Sequence, residues 1–82
     1  MIRTEIGKAP LRGMTVTYYL VAENLPKIGV TYGIEVRTSR GEHICIRDIS
    51  ASVDAIRALL ELMIRNAVTP VAAWDVVRDW LP

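Results

Sequence analysis

His43 and Cys45 are the pair of side chains in this sequence best suited to chemistry, because an imidazole beside a thiol can produce an activated nucleophile. They are two residues apart in an alternating segment, so both would project from the same face of a strand. The chain contains one His and one Cys, whereas a zinc site usually takes about four ligands. No third group that could orient the imidazole is evident in the sequence. We therefore expect an ordinary strand surface here, with no catalytic residue, no metal and no cofactor.

The glycines and carboxylates also lack the spacing of known sites. The five glycines never fall into the GxGxxG or GxxxxGKS/T patterns that hold phosphate groups. Asp75 and Asp79 are four residues apart on one helical face, with Arg78 beside them. That arrangement is typical of a solvated face with local ion pairs. The sequence therefore predicts a protein that is not an enzyme.

Length and composition predict one small folded domain. The chain has 82 residues, of which 51% are hydrophobic, and ten basic against nine acidic residues give a net charge of +1. That balance argues against a strong electrostatic attraction to nucleic acid or to an anionic membrane. Cys45 has no partner for an internal disulfide, which favours a cytoplasmic protein. No apolar run approaches the roughly 20 residues needed to span a bilayer, so no membrane is expected.

Three segments have the composition of β-strands. Residues 14–23 and 30–38 are rich in β-branched and aromatic side chains, and residues 42–49 continue the alternation. Turn signals separate them, NLPKIG and then SRG, which predicts an antiparallel meander. Gly33 interrupts the polar face of the second strand, as glycines do at a bulge or a close backbone approach.

The first thirteen residues do not share this pattern. Their charges are mixed, and Pro10 and Gly13 interrupt them. We interpret residues 1–13 as a flexible arm, with a short edge strand around residues 2–6 as the lesser alternative. Residues 14–82 would then form a single α+β domain.

Two helices are predicted after the strands. Ser50 is the expected N-cap of the first helix, which should end near residues 66–68, and Thr69 followed by Pro70 is a strong start signal for the second. The fold class expected is therefore α+β, a three-stranded antiparallel meander followed by two helices packed on one face (βββαα). The first helix carries one apolar stripe at three-and-four spacing: Val53, Ile56, Leu59, Leu60, Met63, Ile64 and Ala67.

The second helix is apolar almost all round. Trp74 and Trp80 are six residues apart, about 240° round a helix, so they cannot share one narrow seam. One alternative is that both indoles fill a small core that has no Phe. The other is that one indole remains at the surface and anchors a homodimer or another protein partner. The residues expected to bind such a partner are Trp74, Val76, Trp80 and Leu81.

An alternative function uses the polar face of the sheet. Tyr19, Arg37, His43 and Arg47 would lie on that face, where aromatic and guanidinium groups can stack on bases and contact phosphates. Glu23 and Glu35 share the same face and weaken the pattern. The alternative is a small nucleic-acid-binding protein.

Four strings occur in order along the chain: TYYLVAE, YGIEV, RDIS and WDVVRDWL. Their arrangement resembles a family of short uncharacterised proteins from Gram-positive, clostridia-like bacteria, known as a domain of unknown function. The resemblance implies a stand-alone cytoplasmic protein and provides no catalytic residues. The function expected from the sequence is a non-enzymatic binding module that self-associates, or docks on a protein partner, through its Trp-bearing helix.

Overall fold

Four antiparallel strands and two helices make up the fold. The computed structural model describes residues 1–82. The sheet has the order β1-β2-β3-β4, so every strand pairs with its neighbour in the chain. The α+β class and the two helices are confirmed, but the prediction of three strands is wrong, because the sheet has four. The elements are β1 (Ile2–Leu11), β2 (Met14–Leu25), β3 (Gly29–Thr38), β4 (His43–Ser50), α1 (Val53–Arg65) and α2 (Pro70–Trp80).

The additional strand, β1, lies in the segment for which the sequence predicts a flexible arm, with a short edge strand around residues 2–6 as the lesser alternative. It pairs with β2 from Ile2 opposite Ala22 to Leu11 opposite Met14, with a register shift between Glu5 and Gly7. Arg12 and Gly13 connect the two strands with φ angles of 49° and 79°, the positive values that a type I′ hairpin turn needs. Pro10 is tolerated within β1 because β1 is an edge strand, where a missing backbone N–H need not break a ladder hydrogen bond. The segment has weak local strand signals, and its pairing with β2 makes it a strand.

The core lies between one face of the sheet and the helices. Val16, Tyr18 and Leu20 of β2 are buried on this face, as the alternation of that segment predicted. α1 packs on all four strands, whereas α2 packs on β3, β4 and α1. The predicted stripe of α1 supplies its half of the core, with four side chains fully buried: Ile56, Leu59, Leu60 and Met63.

A β-bulge opposite Gly33 confirms the interpretation of that glycine. Tyr32 pairs with Ser50 and Ile34 pairs with Ile46, so three residues of β4 lie opposite one residue of β3. A Cβ atom on Gly33 would lie 2.1 Å from the carbonyl oxygen of Ile46, so only glycine fits. Asp48, within the bulge, has a φ of 54°.

The helix boundaries agree with the sequence except at the start of α1. Ser50 ends β4, and Ser52 is the N-cap, with its hydroxyl oxygen accepting a 3.2 Å hydrogen bond from the backbone N–H of Ala55. The expected cap at Ser50 is therefore wrong, because the bulge extends β4 to that residue. α1 ends at the C-cap Asn66, and Thr69 precedes Pro70 at the start of α2, both as predicted.

Candidate interaction surface

The two tryptophans of α2 lie on opposite flanks of the helix. Val77 is almost completely buried and marks the side of α2 that faces the core. Trp74 precedes Val77 by three residues and Trp80 follows it by three, so each indole is displaced by about 60° to either side. The two residues therefore contribute to two different surfaces.

The first surface, which we call the Trp74 flank, consists of Val71, Trp74, Arg78 and Leu81. Its apolar side chains are exposed to 85% at Val71, 52% at Trp74 and 41% at Leu81. Arg78 lies 3.7 Å from Asp75 in a solvent-exposed ion pair, which holds the guanidinium only weakly. The flank is thus an exposed apolar strip with one cationic group. Trp74 and Leu81, both predicted as partner-binding residues, lie here.

The second surface is an open groove between α1 and α2 with a volume of about 560 Å³. Trp80 and Val76, the other two predicted partner-binding residues, are half-buried there and pack against the core. The structure therefore divides the four predicted residues between the flank and the groove. The groove is lined by Leu62, Asn66, Val68, Val76, Asp79 and Trp80.

Two polar side chains line the groove, those of Asn66 and Asp79. The side-chain amide N–H of Asn66 donates a 2.8 Å hydrogen bond to the carbonyl oxygen of Leu62, which leaves the amide oxygen of Asn66 as an acceptor. Asp79 takes part in no ion pair. The groove thus offers an apolar floor with an uncompensated carboxylate at its rim.

On the opposite face of the sheet, Glu35 is at the centre of an ionic cluster. Its residue is only 3% exposed, and its carboxylate accepts hydrogen bonds from Arg37 and, at 3.0 Å, from Arg3. Arg3 also lies over the ring of Tyr19, 5.7 Å from the ring centroid, within cation–π range. Arg3 belongs to β1, Tyr19 to β2 and Glu35 to β3, so the cluster links three neighbouring strands of the sheet.

Burial and pairing act in opposite directions on Glu35. Burial alone would raise the pKa of this carboxyl group, but the hydrogen bonds and charges of Arg37 and Arg3 outweigh it. The pKa of Glu35 therefore lies below its usual range, and the group is a carboxylate at neutral pH.

The residues of the nucleic-acid alternative share this outer face. Tyr19 lies opposite Glu35, and Arg37 lies opposite His43. Arg47 is paired with Glu23, whose carboxylate accepts a 3.2 Å hydrogen bond from the Nε atom. Both predicted arginines therefore already have a carboxylate partner, and a phosphate group would have to compete with it.

His43 and Cys45 lie next to this ionic cluster. Cys45 is opposite Glu35 in the register. Burial, followed by the negative charge of Glu35, raises the pKa of the Cys45 thiol, which reduces its thiolate fraction at neutral pH. No hydrogen bond joins His43 to Cys45, and no group of three or more His, Cys, Asp and Glu side chains is arranged to hold a metal ion.

Sequence reasoning missed the roles of Arg3 and Glu35, and it missed the groove. The sequence predicts an arm at Arg3, and no local pattern indicates its pairing with Glu35, 32 positions away. The groove depends on the crossing of two helices, and Leu62 has the same pattern as any apolar helix residue. The alternation of β3 does place Glu35 on the outer face, but the sequence does not indicate its ion pair there with Arg3.

The family described as a family of unknown function, DUF6514, matches residues 2–82. No curated protein and no solved structure matches the chain. None of the helices has the length and apolar character needed to cross a membrane.

Proposed function

The chain belongs to the DUF6514 family, and we propose that it is a small non-enzymatic interaction module that self-associates through its C-terminal helix. The single observation that carries the proposal is the exposure of Trp74, at 52%, on a helix whose other apolar side fills the core. Single exposed apolar residues are common on protein surfaces. A Trp within a contiguous apolar strip is different, because Trp is enriched among the residues that dominate binding energy.

The size of the domain also favours association. A chain of 82 residues buries only about 60–65% of its unfolded surface, so its core is small. Burial of the Trp74 flank against another protein surface would add apolar area that the monomer leaves in water. A different protein that docks on the same flank belongs to this proposal as its second form. We also place the module in the cytoplasm of a Gram-positive bacterium, as its lone cysteine and its sequence resemblance favour.

Sedimentation equilibrium of purified protein tests the proposal. We expect wild type to associate measurably at concentrations up to about 1 mM, where an interaction of about 4 kcal/mol is half complete. Trp74→Ser should remain monomeric over that range. Ile28→Ser is a matched control, because Ile28 is also an exposed large apolar residue, at 77%, but lies in the turn between β2 and β3.

Equal association of wild type and Trp74→Ser would contradict the proposal. So would loss of association in Ile28→Ser to the same degree, since the effect would then not be specific to α2. Because Trp74 is half exposed, its replacement should leave the thermal unfolding midpoint nearly unchanged, and this measurement confirms that each variant is folded.

A further inference from the structure

We propose that the Trp74 flank of one copy inserts into the groove between α1 and α2 of a second copy, so that the chains associate head to tail. This inference rests on the proposed function and adds to it the partner surface. Two kinds of complementarity between the groove and the flank support the inference. One is between their polar groups, and the other is between their apolar surfaces.

The polar chemistry of the two surfaces is complementary. The groove presents the carboxylate of Asp79, which forms no salt bridge within the chain, and the amide oxygen of Asn66. The flank presents a donor, the guanidinium of Arg78, which is held only by an exposed contact of 3.7 Å with Asp75. Arg pairs well with carboxylates because its N–H groups can donate two parallel hydrogen bonds. An Arg78–Asp79 pair between copies would therefore satisfy both charges.

The apolar parts are complementary as well. The groove volume of about 560 Å³ lies within the range of about 300–1,000 Å³ of sites that hold ligands larger than one side chain. The indole of Trp74 can contact Trp80 of the second copy, and aromatic pairs of this kind stabilise an interface beyond the area they bury. Leu62 and Val76 provide the remaining apolar wall.

The positions of the two surfaces determine the symmetry. Trp74 and Trp80 are separated by about 120° round α2, so the flank and the groove face different directions. A two-fold interface would need the flank and the groove to lie in one patch, so that each meets the other surface of the second copy. Surfaces that face different directions instead form a head-to-tail contact. Each pair formed in this way leaves one groove and one flank free, and further copies would extend it into a ring or an open chain.

The test uses two variants that each disable one surface. Trp74→Glu removes the indole from the flank and leaves the groove intact. Asp79→Arg places a cation at the groove, where it repels Arg78, and leaves the flank intact. We expect each variant alone to associate about 30-fold more weakly than wild type or worse, the loss typical of removing a central binding residue. Asp54→Arg, with the same charge change in the first turn of α1, should associate as wild type does.

The mixture of the two variants is decisive. Asp79→Arg still has an intact flank and Trp74→Glu still has an intact groove, so an equimolar mixture should form a 1:1 complex that does not grow further. Native mass spectrometry separates the two variants by mass and identifies that complex. Its formation would also establish that both variants are folded.

Each other outcome overturns the inference in a recognisable way. If Asp79→Arg associates like wild type while Trp74→Glu does not, the proposed function remains and the groove is not its partner surface. If both variants are monomeric and their mixture forms no 1:1 complex, insertion of the flank into the groove is refuted, while association through the Trp74 flank remains. If wild type itself is monomeric, or if Trp74→Glu associates like wild type, self-association through the Trp74 flank is refuted along with this inference.

Discussion

The phenolic hydroxyl group of Tyr18 donates a 2.8 Å hydrogen bond to the backbone carbonyl oxygen of Val68. This bond joins the centre of the sheet to the connection between α1 and α2. Burial raises the pKa of Tyr18 to about 12, so the hydroxyl group remains a neutral donor at physiological pH. Because Val68 lines the groove, the sheet fixes one wall of the candidate interaction surface.

Tyr18→Phe tests this connection. The substitution keeps the buried ring and leaves the Val68 carbonyl without its partner, which should lower the free energy of unfolding by about 1–2 kcal/mol. Urea-induced unfolding followed by Trp fluorescence measures the change. Tyr19→Phe is the matched control, because the hydroxyl group of Tyr19 makes no hydrogen bond and its ring contact with Arg3 is kept. Equal stability of Tyr18→Phe and Tyr19→Phe would contradict the role assigned to this bond.

Gly33→Ala tests the close backbone approach at the bulge. The new methyl group would lie 2.1 Å from the Ile46 carbonyl oxygen, and backbone cannot move away as a side chain can. We expect a loss of more than about 3 kcal/mol, at or beyond the upper end of ordinary overpacking. Gly7→Ala is the comparison, since its methyl group would meet the end of the Ile64 side chain at 2.8 Å, which can rotate. A Gly33→Ala variant no less stable than Gly7→Ala would refute the steric argument.

The ionic cluster predicts a pH-dependent contribution to stability. The pKa of Glu35 in the folded protein is lowered from its ordinary value of 4.5, which applies to the unfolded chain. Its contribution is therefore present above that value and is lost as the pH falls through the lower folded pKa. We expect Glu35→Gln to lower the free energy of unfolding by about 1–2 kcal/mol at pH 7. The effect is smaller than for a fully buried ion pair, because Arg3 and Arg37 are half exposed and solvent screens their charges. The difference from wild type should shrink at pH 3.

Glu61→Gln is the control for that comparison. Glu61 is exposed on α1 and forms no ion pair. Its substitution should change stability little at either pH. A Glu35→Gln effect of the same size at pH 7 and pH 3 would show that charge is not its cause.

The paired arginines predict the response to oligonucleotides. An Arg that contacts phosphate lowers the salt slope of binding by about 1 when it is removed. Because the carboxylate of Glu23 already pairs with the guanidinium of Arg47, we expect Arg47→Ala to leave the salt dependence of binding to random-sequence RNA unchanged. Arg57→Ala, which removes the same charge from α1, is the control. Tight binding whose salt slope falls in Arg47→Ala but not in Arg57→Ala would favour the nucleic-acid alternative.

Local patterns in the sequence determined much of the fold. The alternation of β2 and β3 places their apolar faces correctly, because a strand turns successive side chains to opposite faces whatever its neighbours are. The signals for the helices are equally local, since they depend on backbone geometry within one or two turns. They are the three-and-four spacing of α1, the end of α1 at Asn66 and the start of α2 at Thr69 and Pro70. Gly33 also predicts the bulge, because a glycine within a strand pattern indicates a position where a side chain would not fit.

The pairing of strands and the crossing of helices, by contrast, were decided only in the tertiary structure. Residues 2–11 become a strand because β2 offers a free edge, and Arg3 reaches Glu35 only through that pairing. The two indoles of α2 are equivalent in the sequence, but the packing of Val77 against the core turns Trp80 towards α1 and Trp74 towards solvent. A helical pattern defines which residues share a face, whereas the elements packed around the helix decide which face remains available for a partner.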